Sequence, residues 1–362
     1  MFRIGAVALL GGAVLTGLSQ AQVASTAGIY AVGSCKPNLP SYPTISAALA
    51  AAPAPTQVQI CPGSYPEQIV ITQPVTLQGI TSGGVANVVV TPPSGGNLVA
   101  LATDQIGRLV APQLWVNNVT AGNVNVSDIT FDGTGGTSVN GLVTGIFYQN
   151  SAGTISHVAT RFQGSYGVWL EGGSSSPHVT VSNNSIHDFG TDGIFVEDFA
   201  GSTPDLTAGI TNNYVNANGC CLLQYGIVIL GQSNFTASGN TVLGGTFSGI
   251  TAAGGALGTV SGNTVYNSEK GIVIGLNEDS ATVSGNKIIN ASVAGIGLES
   301  AGTVVKSNNI MGGASGIDFG CLANPNVSAN VINEVSTGLS SVPSAVASQN
   351  NYFSVGTIRS GC

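Results

Sequence analysis

An asparagine recurs along the second half of the chain in a fixed local setting, and few folds accommodate such a repeat. The segments Val181–Ile186, Ile210–Val215, Ala237–Val242, Val260–Val265 and Val283–Ile288 each read apolar, two small polar residues, asparagine, polar, apolar. Val327–Ile332 continues the series, and Asn308 and Asn350 extend it in less regular surroundings. The asparagines fall at 184, 213, 240, 263, 286, 308, 330 and 350, in steps of 20 to 29 residues. Between them stand Gly167-Val168, Gly193-Ile194, Gly226-Ile227, Gly249-Ile250, Gly271-Ile272, Gly295-Ile296, Gly316-Ile317 and Gly338-Leu339, each opening a short alternating strand. A period of about 22 residues with three short strands per repeat is that of a β-solenoid. One coil cannot bury its apolar face alone, whereas stacked coils share a continuous core. Asparagine tolerates a left-handed backbone at a sharp turn. Stacked at the strand spacing of about 4.8 Å, its amide can hydrogen-bond from coil to coil.

Composition agrees. Only 7% of the 362 residues are charged, 52 are glycine, and mean hydropathy is +0.34. Disordered chains are polar and highly charged, so disorder is disfavoured. The net charge of −8 argues against nucleic acid and against adhesion to anionic membranes. It leaves room for acidic polysaccharides held by local cations or bridging Ca²⁺.

Arg3, the apolar run Ile4–Leu18 and Ser19-Gln20-Ala21 read as a signal peptide, residues 1–21, cleaved after Ala21. The alternative is an uncleaved N-terminal anchor. The expected location is secreted or periplasmic, with no membrane span after cleavage. Six cysteines follow, and export makes disulfides plausible. Cys35 with Cys61 and Cys321 with Cys362 would staple the two ends. The adjacent Cys220 and Cys221 either form a vicinal bridge or stay reduced.

These repeats resemble the pectate-lyase-like right-handed parallel β-helix superfamily, over about residues 42–352. Tyr42–Pro53 resembles the amphipathic capping helix of pectinesterase-like members, and Cys61–Gln68 with Pro74–Gly79 resembles their first coil. The resemblance implies an all-β fold, a single-stranded right-handed parallel β-helix with an N-terminal capping helix. The expected organisation is a cap and first coil over 22–80, the β-helix over 81–352 and a C-terminal tail over 353–362. The catalytic motifs of pectinesterases, polygalacturonases and alginate epimerases are absent, so a site must be argued from geometry.

The repeat serves as a ruler. If the residue after each glycine points inward, two residues after and four residues after point outward. The first outward column begins Phe147, Trp169, Phe195; the second begins Gln149, Glu171, Glu197. An aromatic stripe beside a carboxylate stripe suits stacking on sugar rings. Paired carboxylates about 5 Å apart raise a pKa or hold a cation. Three residues beyond the asparagine position stand Asp132, Arg161 and His187, with Asp188 as the one-residue alternative to His187.

On this basis Glu197 is expected as acid or base, Glu171 as its partner, Arg161 as a clamp on a sugar carboxylate, and Asp192 beside them. Trp169, Phe195, Phe147, Asp198 and Asp188 are expected to bind substrate. The competing expectation has Trp169 and Phe195 packed beneath Gly201–Leu206 and Glu171 with Arg161 a plain surface ion pair. Two functions remain open: a lyase, hydrolase or epimerase acting on an extracellular uronate polysaccharide, or a non-catalytic structural or adhesion protein binding along the same face. No residue is assigned as a metal ligand, and Ca²⁺ is the candidate cofactor. The expected partner is a polysaccharide, and the expected state a monomer.

Overall fold

The computed structural model describes residues 28–82, 85–199, 205–217, 221, 223–245, 247–275, 280–321, 326–343 and 349–362. The signal segment 1–21 and Cys220 lie outside the described residues. Each coil carries three short strands; Gly153–Ser156, Ala159–Gln163 and Tyr166–Glu171 make one such coil. Every strand of a coil pairs in parallel with its equivalent one coil on.

Stacking in register turns the apolar positions into columns. Ile155, Val181, Ile210, Ala237, Val260, Val283, Val305 and Val327 are successive partners down one sheet. Ile186, Val215, Val242, Val265, Ile288, Ile310 and Ile332 do the same in the second. All are buried in one continuous core. Fully burying such a side chain is worth about 1.5–3 kcal/mol, so stacked columns hold the fold where local propensity does not.

The third sheet carries the site. Its strands are labelled β1 (Leu109–Asn117), β2 (Leu142–Gln149), β3 (Tyr166–Glu171), β4 (Asp192–Asp198), β5 (Tyr225–Gly231), β6 (Ser248–Ala253) and β7 (Lys270–Ile274). The strands open one residue before the repeated glycine rather than at it. A Cβ added at Gly193 would lie 2.5 Å from Val215 Cγ1 and 2.7 Å from the carbonyl oxygen of Gly226. The repeated glycine therefore answers a close approach at the corner between sheets.

Asn184, 213, 240, 263, 286, 308, 330 and 350 form one unbroken ladder. Each amide from Asn184 to Asn330 donates to the Oδ1 of the next coil at 2.9–3.0 Å, Asn308 included, and Asn350 ends the ladder as an acceptor. Each amide from Asn184 to Asn330 also donates to a backbone carbonyl of the preceding coil, as Asn263 does to Ala237 at 2.9 Å. The left-handed backbone belongs to the residue before the ladder asparagine, a correction to the expectation. Asn183, Asn212, Gly239, Gly262, Gly285, Ser307 and Ala329 take φ between 56° and 66°.

The N-terminal helix is shorter than Tyr42–Pro53: it spans Ile45–Leu49. Pro53 and Pro55 follow closely and cannot extend it. Thr44 caps it, and Glu67 of the first coil accepts from the N–H groups of Ile45 and Ser46 at 2.7 and 2.9 Å. Ile45 and Ala48 enter the main core. Residues 353–362, expected as a tail, hold a strand, Thr357–Gly361, that pairs with Asn326–Val342. The bridges Cys35–Cys61 and Cys321–Cys362 are present, with Cα atoms 5.6 and 5.7 Å apart. Cys221 is also disulfide-bonded.

Candidate functional site

Parallel register in β1–β7 sets the outward columns. Phe147, Trp169, Phe195, Val228, Thr251 and Val273 are successive partners, as are Gln149, Glu171, Glu197, Leu230 and Ala253. A third column stands directly before the glycines: Tyr166, Asp192, Tyr225, Ser248 and Lys270. Outward from the solenoid does not mean solvent-exposed here. Phe147, Trp169, Phe195, Tyr166 and Val228 form a second apolar cluster with Ala102 and Val110. Tyr166 stacks on Phe195 at 5.0 Å, and Trp169 lies 4.7 Å from Phe147 and 5.3 Å from Phe195.

The cover is a hairpin that the repeat does not announce. Ala102 and Thr103 pair antiparallel with Val110 and Leu109 at the start of β1. Its tip leans over β2–β4, with the Arg108 guanidinium 5.2 Å from the centre of the Trp169 ring and 6.0 Å from that of Phe195. The expectation that Trp169, Phe195 and Phe147 form an open stacking platform is therefore corrected. Trp169 is 0% exposed, with Arg108 over its ring, and Gly201–Pro204 of the competing expected cover lie outside the described residues.

Glu171 and Glu197 face the same space, as the ruler required, and Asp104 and Arg108 of the hairpin join them. Arg108 donates to Glu197 at 2.8 Å and to Asp104. Glu171 accepts from the Gln105 N–H at 2.9 Å and from Gln149 at 2.8 Å. Burial pushes the carboxyls of Glu171 and Glu197 up to about 7, against the hydrogen bonds and the Arg108 charge that favour ionisation. Asp104, Glu171 and Glu197 each place one oxygen within 4.8 Å of the others, the group among the described residues suited to a cation. The guanidinium already neutralises part of that charge.

Arg161 does not belong to this cluster. The register Asp132–Arg161–His187 was read correctly, but it lies on the sheet before β1–β7. Arg161 pairs with Asp132 at 2.8 Å. Burial raises the Asp132 carboxyl, yet hydrogen bonds from Thr134 and Arg161 outweigh it and hold it below its usual range. The cation beside Glu197 is Arg108. Asp188 sits on that other sheet too, its carboxylate 2.5 Å from His187 Nδ1. Asp198 is buried, and its Oδ2 accepts from the N–H groups of Asp205 and Leu206 at 3.1 and 2.9 Å. Neither joins the Glu171–Glu197 cluster. Asp192 lies between Tyr166 and Tyr225, and burial raises its carboxyl to about 8, with Arg108 opposing.

Beyond the hairpin the same face opens. A cleft of about 320 Å³ is lined by Phe199, Tyr225, Phe247, Lys270 and Glu299, with Thr251, Ala253 and Val273 on its floor. Tyr225 and Phe247 lie 5.1 Å apart, Lys270 sits 5.8 Å over Phe247, and its ammonium is 3.6 Å from Glu299. Lys270 reads in the sequence as an ordinary loop residue, like Glu278 and Asp279, which lie outside the described residues. Its place before Gly271, in the column of Tyr166, Asp192 and Tyr225, was the signal that could have found it.

No helix among the described residues is long and apolar enough to cross a membrane. No curated protein matches the sequence. The A-module of the mannuronan C-5 epimerase AlgE6 of Azotobacter vinelandii shares 20% identity, with 87% of this chain and 93% of that chain covered and a TM-score of 0.54. The catalytic domain of a GH87 α-1,3-glucanase in complex with nigerose shares 15%, covering 91% and 65%, at 0.56. A variant of the periplasmic alginate epimerase AlgG shares 15%, covering 83% and 73%, at 0.55. These likenesses are of fold. Residues 200–355 match the family model of the right-handed β-helix region, and the stacked coils on either side of that boundary share one core: the chain is a right-handed parallel β-helix.

Proposed function

We propose that this is an exported polysaccharide-binding β-helix whose glycan, an acidic one, lies along the outward face of β4–β7. The observation that carries this reading is the open cleft that puts Tyr225 and Phe247 beside the ammonium of Lys270. Aromatic side chains offer flat apolar surface for a sugar ring, and the Lys270 ammonium, now paired with Glu299, can exchange that partner for a uronate carboxylate. Glu299 balances Lys270 when no glycan is present. The cleft runs lengthwise across successive coils, as a polymer requires. The structural likenesses, to a mannuronan C-5 epimerase, a periplasmic alginate epimerase and an α-1,3-glucanase, support the same class of partner. Export is supported by the N-terminal signal-like segment and the Cys35–Cys61 and Cys321–Cys362 bridges.

Catalysis is the second reading, favoured by Glu171 and Glu197 lying side by side with carboxyls near neutrality. Against it, these groups are 2% and 0% exposed beneath the hairpin. A polymer cannot reach them in this state, so binding is the function we assign. The test is titration of the chain from residue 22 with alginate, pectate and neutral glucan. Phe247→Ala and Lys270→Ala are each expected to weaken uronate binding at least about tenfold, the scale of one lost anchor contact. Unchanged affinity in both variants, or absence of any glycan binding, overturns the reading. Product from alginate or pectate that is lost in Glu197→Gln would establish the catalytic one.

A further inference from the structure

The hairpin over β2–β4 invites a question about what it hides. It is fixed to the body by polar latches: Arg108 to Glu197, the Gln105 N–H to Glu171, Gln149 to the Thr103 carbonyl at 2.8 Å, and the Phe199 N–H to Gln105 Oε1 at 2.7 Å. Apolar burial anchors only its base, through Ala102 and Val110, whereas Ile106 and Leu109 nearer the tip are exposed. Sheet pairing is confined to its base, where Ala102 and Thr103 pair with Val110 and Leu109, and Val110 pairs in turn with Leu142 of β2. Gly107, at φ +90° with open space around it, completes the tip.

What lies beneath is poorly served by the closure. Trp169 Nε1 and Glu197 Oε1 are both buried and without a hydrogen-bond partner. An orphaned buried polar atom costs about 1–3 kcal/mol. Sugar hydroxyls, as donors and acceptors, would satisfy both. The hidden stripe is also continuous with the cleft: Phe195 partners Val228, which partners Thr251, on the cleft floor. Phe199 ties the two together, lining the cleft and latching the hairpin.

We propose that the hairpin tip Thr103–Arg108 is a hinged cover, closed in this structure, and that a long uronate chain seated in the cleft extends onto Tyr166, Trp169 and Phe195 only when the cover swings away. This rests on the polysaccharide reading. It gives the binding face two states, a short open subsite and a longer one that is autoinhibited by Arg108 and Gln105.

The chain has two tryptophans, so Trp115→Phe leaves Trp169 as the sole reporter. In that background, acrylamide quenching of fluorescence reads exposure of Trp169, and titration with a uronate disaccharide and octasaccharide reads the two subsites. Arg108→Ala, and the isosteric Glu197→Gln should Arg108→Ala misfold, are expected to raise quenching several-fold and to strengthen octasaccharide binding several-fold with disaccharide binding unchanged. Quenching that stays at the parent level in both variants overturns the cover, whatever the sugars do. Raised quenching with no gain for the octasaccharide overturns its role in glycan binding. Failure of every protein to bind either sugar overturns the polysaccharide reading, while quenching still decides whether the hairpin opens.

Discussion

At the scale of single residues, burial decides more than identity does. The Asn263 side chain makes four hydrogen bonds: its amide donates to Asn286 and to the Ala237 carbonyl, and its Oδ1 accepts from the Asn240 N–H and amide. Removing it orphans buried partners on both sides. Asn263→Ala should therefore destabilise by about 2–4 kcal/mol, more than the roughly 1 kcal/mol of one ordinary hydrogen bond, as measured by denaturant unfolding. Asp192 gives the opposite kind of prediction. Its carboxyl is raised in the folded protein to about 8 by burial, so between its unfolded value near 4 and that pH the folded state holds a proton that the unfolded state has released. Stability then falls as pH rises through this window, by up to about 1.4 kcal/mol per pH unit from this group. Asp192→Asn should flatten that slope and stabilise the protein at pH 8, read from midpoints between pH 4 and 9.

At the scale of elements, the strand columns were legible and the hairpin was not. A period near 22 residues with alternating apolar positions specifies which residues share a column, and Phe147–Trp169–Phe195 and Gln149–Glu171–Glu197 stand where it put them. Periodicity says which way a side chain leaves the strand; it says nothing about what covers it. Arg108 meets Glu197 across 89 positions of sequence, and no local pattern encodes such a contact. Arg161 is the lone arginine between Arg108 and Arg359 and reads as standing beside the carboxylates, yet a coil has three faces and its strand belongs to another. The repeated glycine carries a testable consequence of its own. Gly193→Ala would force a Cβ against Val215 and the Gly226 carbonyl, and overpacking of this kind costs about 1–3 kcal/mol. A thermal midpoint unchanged in that variant would contradict the close-approach account of the Gly-Ile repeat.

At the scale of the molecule, contacts run almost wholly between neighbouring coils, so stability is close to a sum of coil and interface terms. The ends are then the weak points, and the two bridges, closing separations of 26 and 41 residues, sit there. Replacing Cys321 and Cys362 by Ser should speed hydrogen exchange in the last coils while leaving the ladder around Asn240 protected; uniform loosening would argue for a single cooperative unit. The same one-dimensional build gives a long face to one sheet, with its upstream part covered and its downstream part open. The most direct test of the account is the structure of the protein with a uronate oligosaccharide bound. We expect a sugar ring against Tyr225 and Phe247 with its carboxylate on Lys270. An oligosaccharide bound on another sheet, or a cleft left empty at saturating sugar, would contradict it.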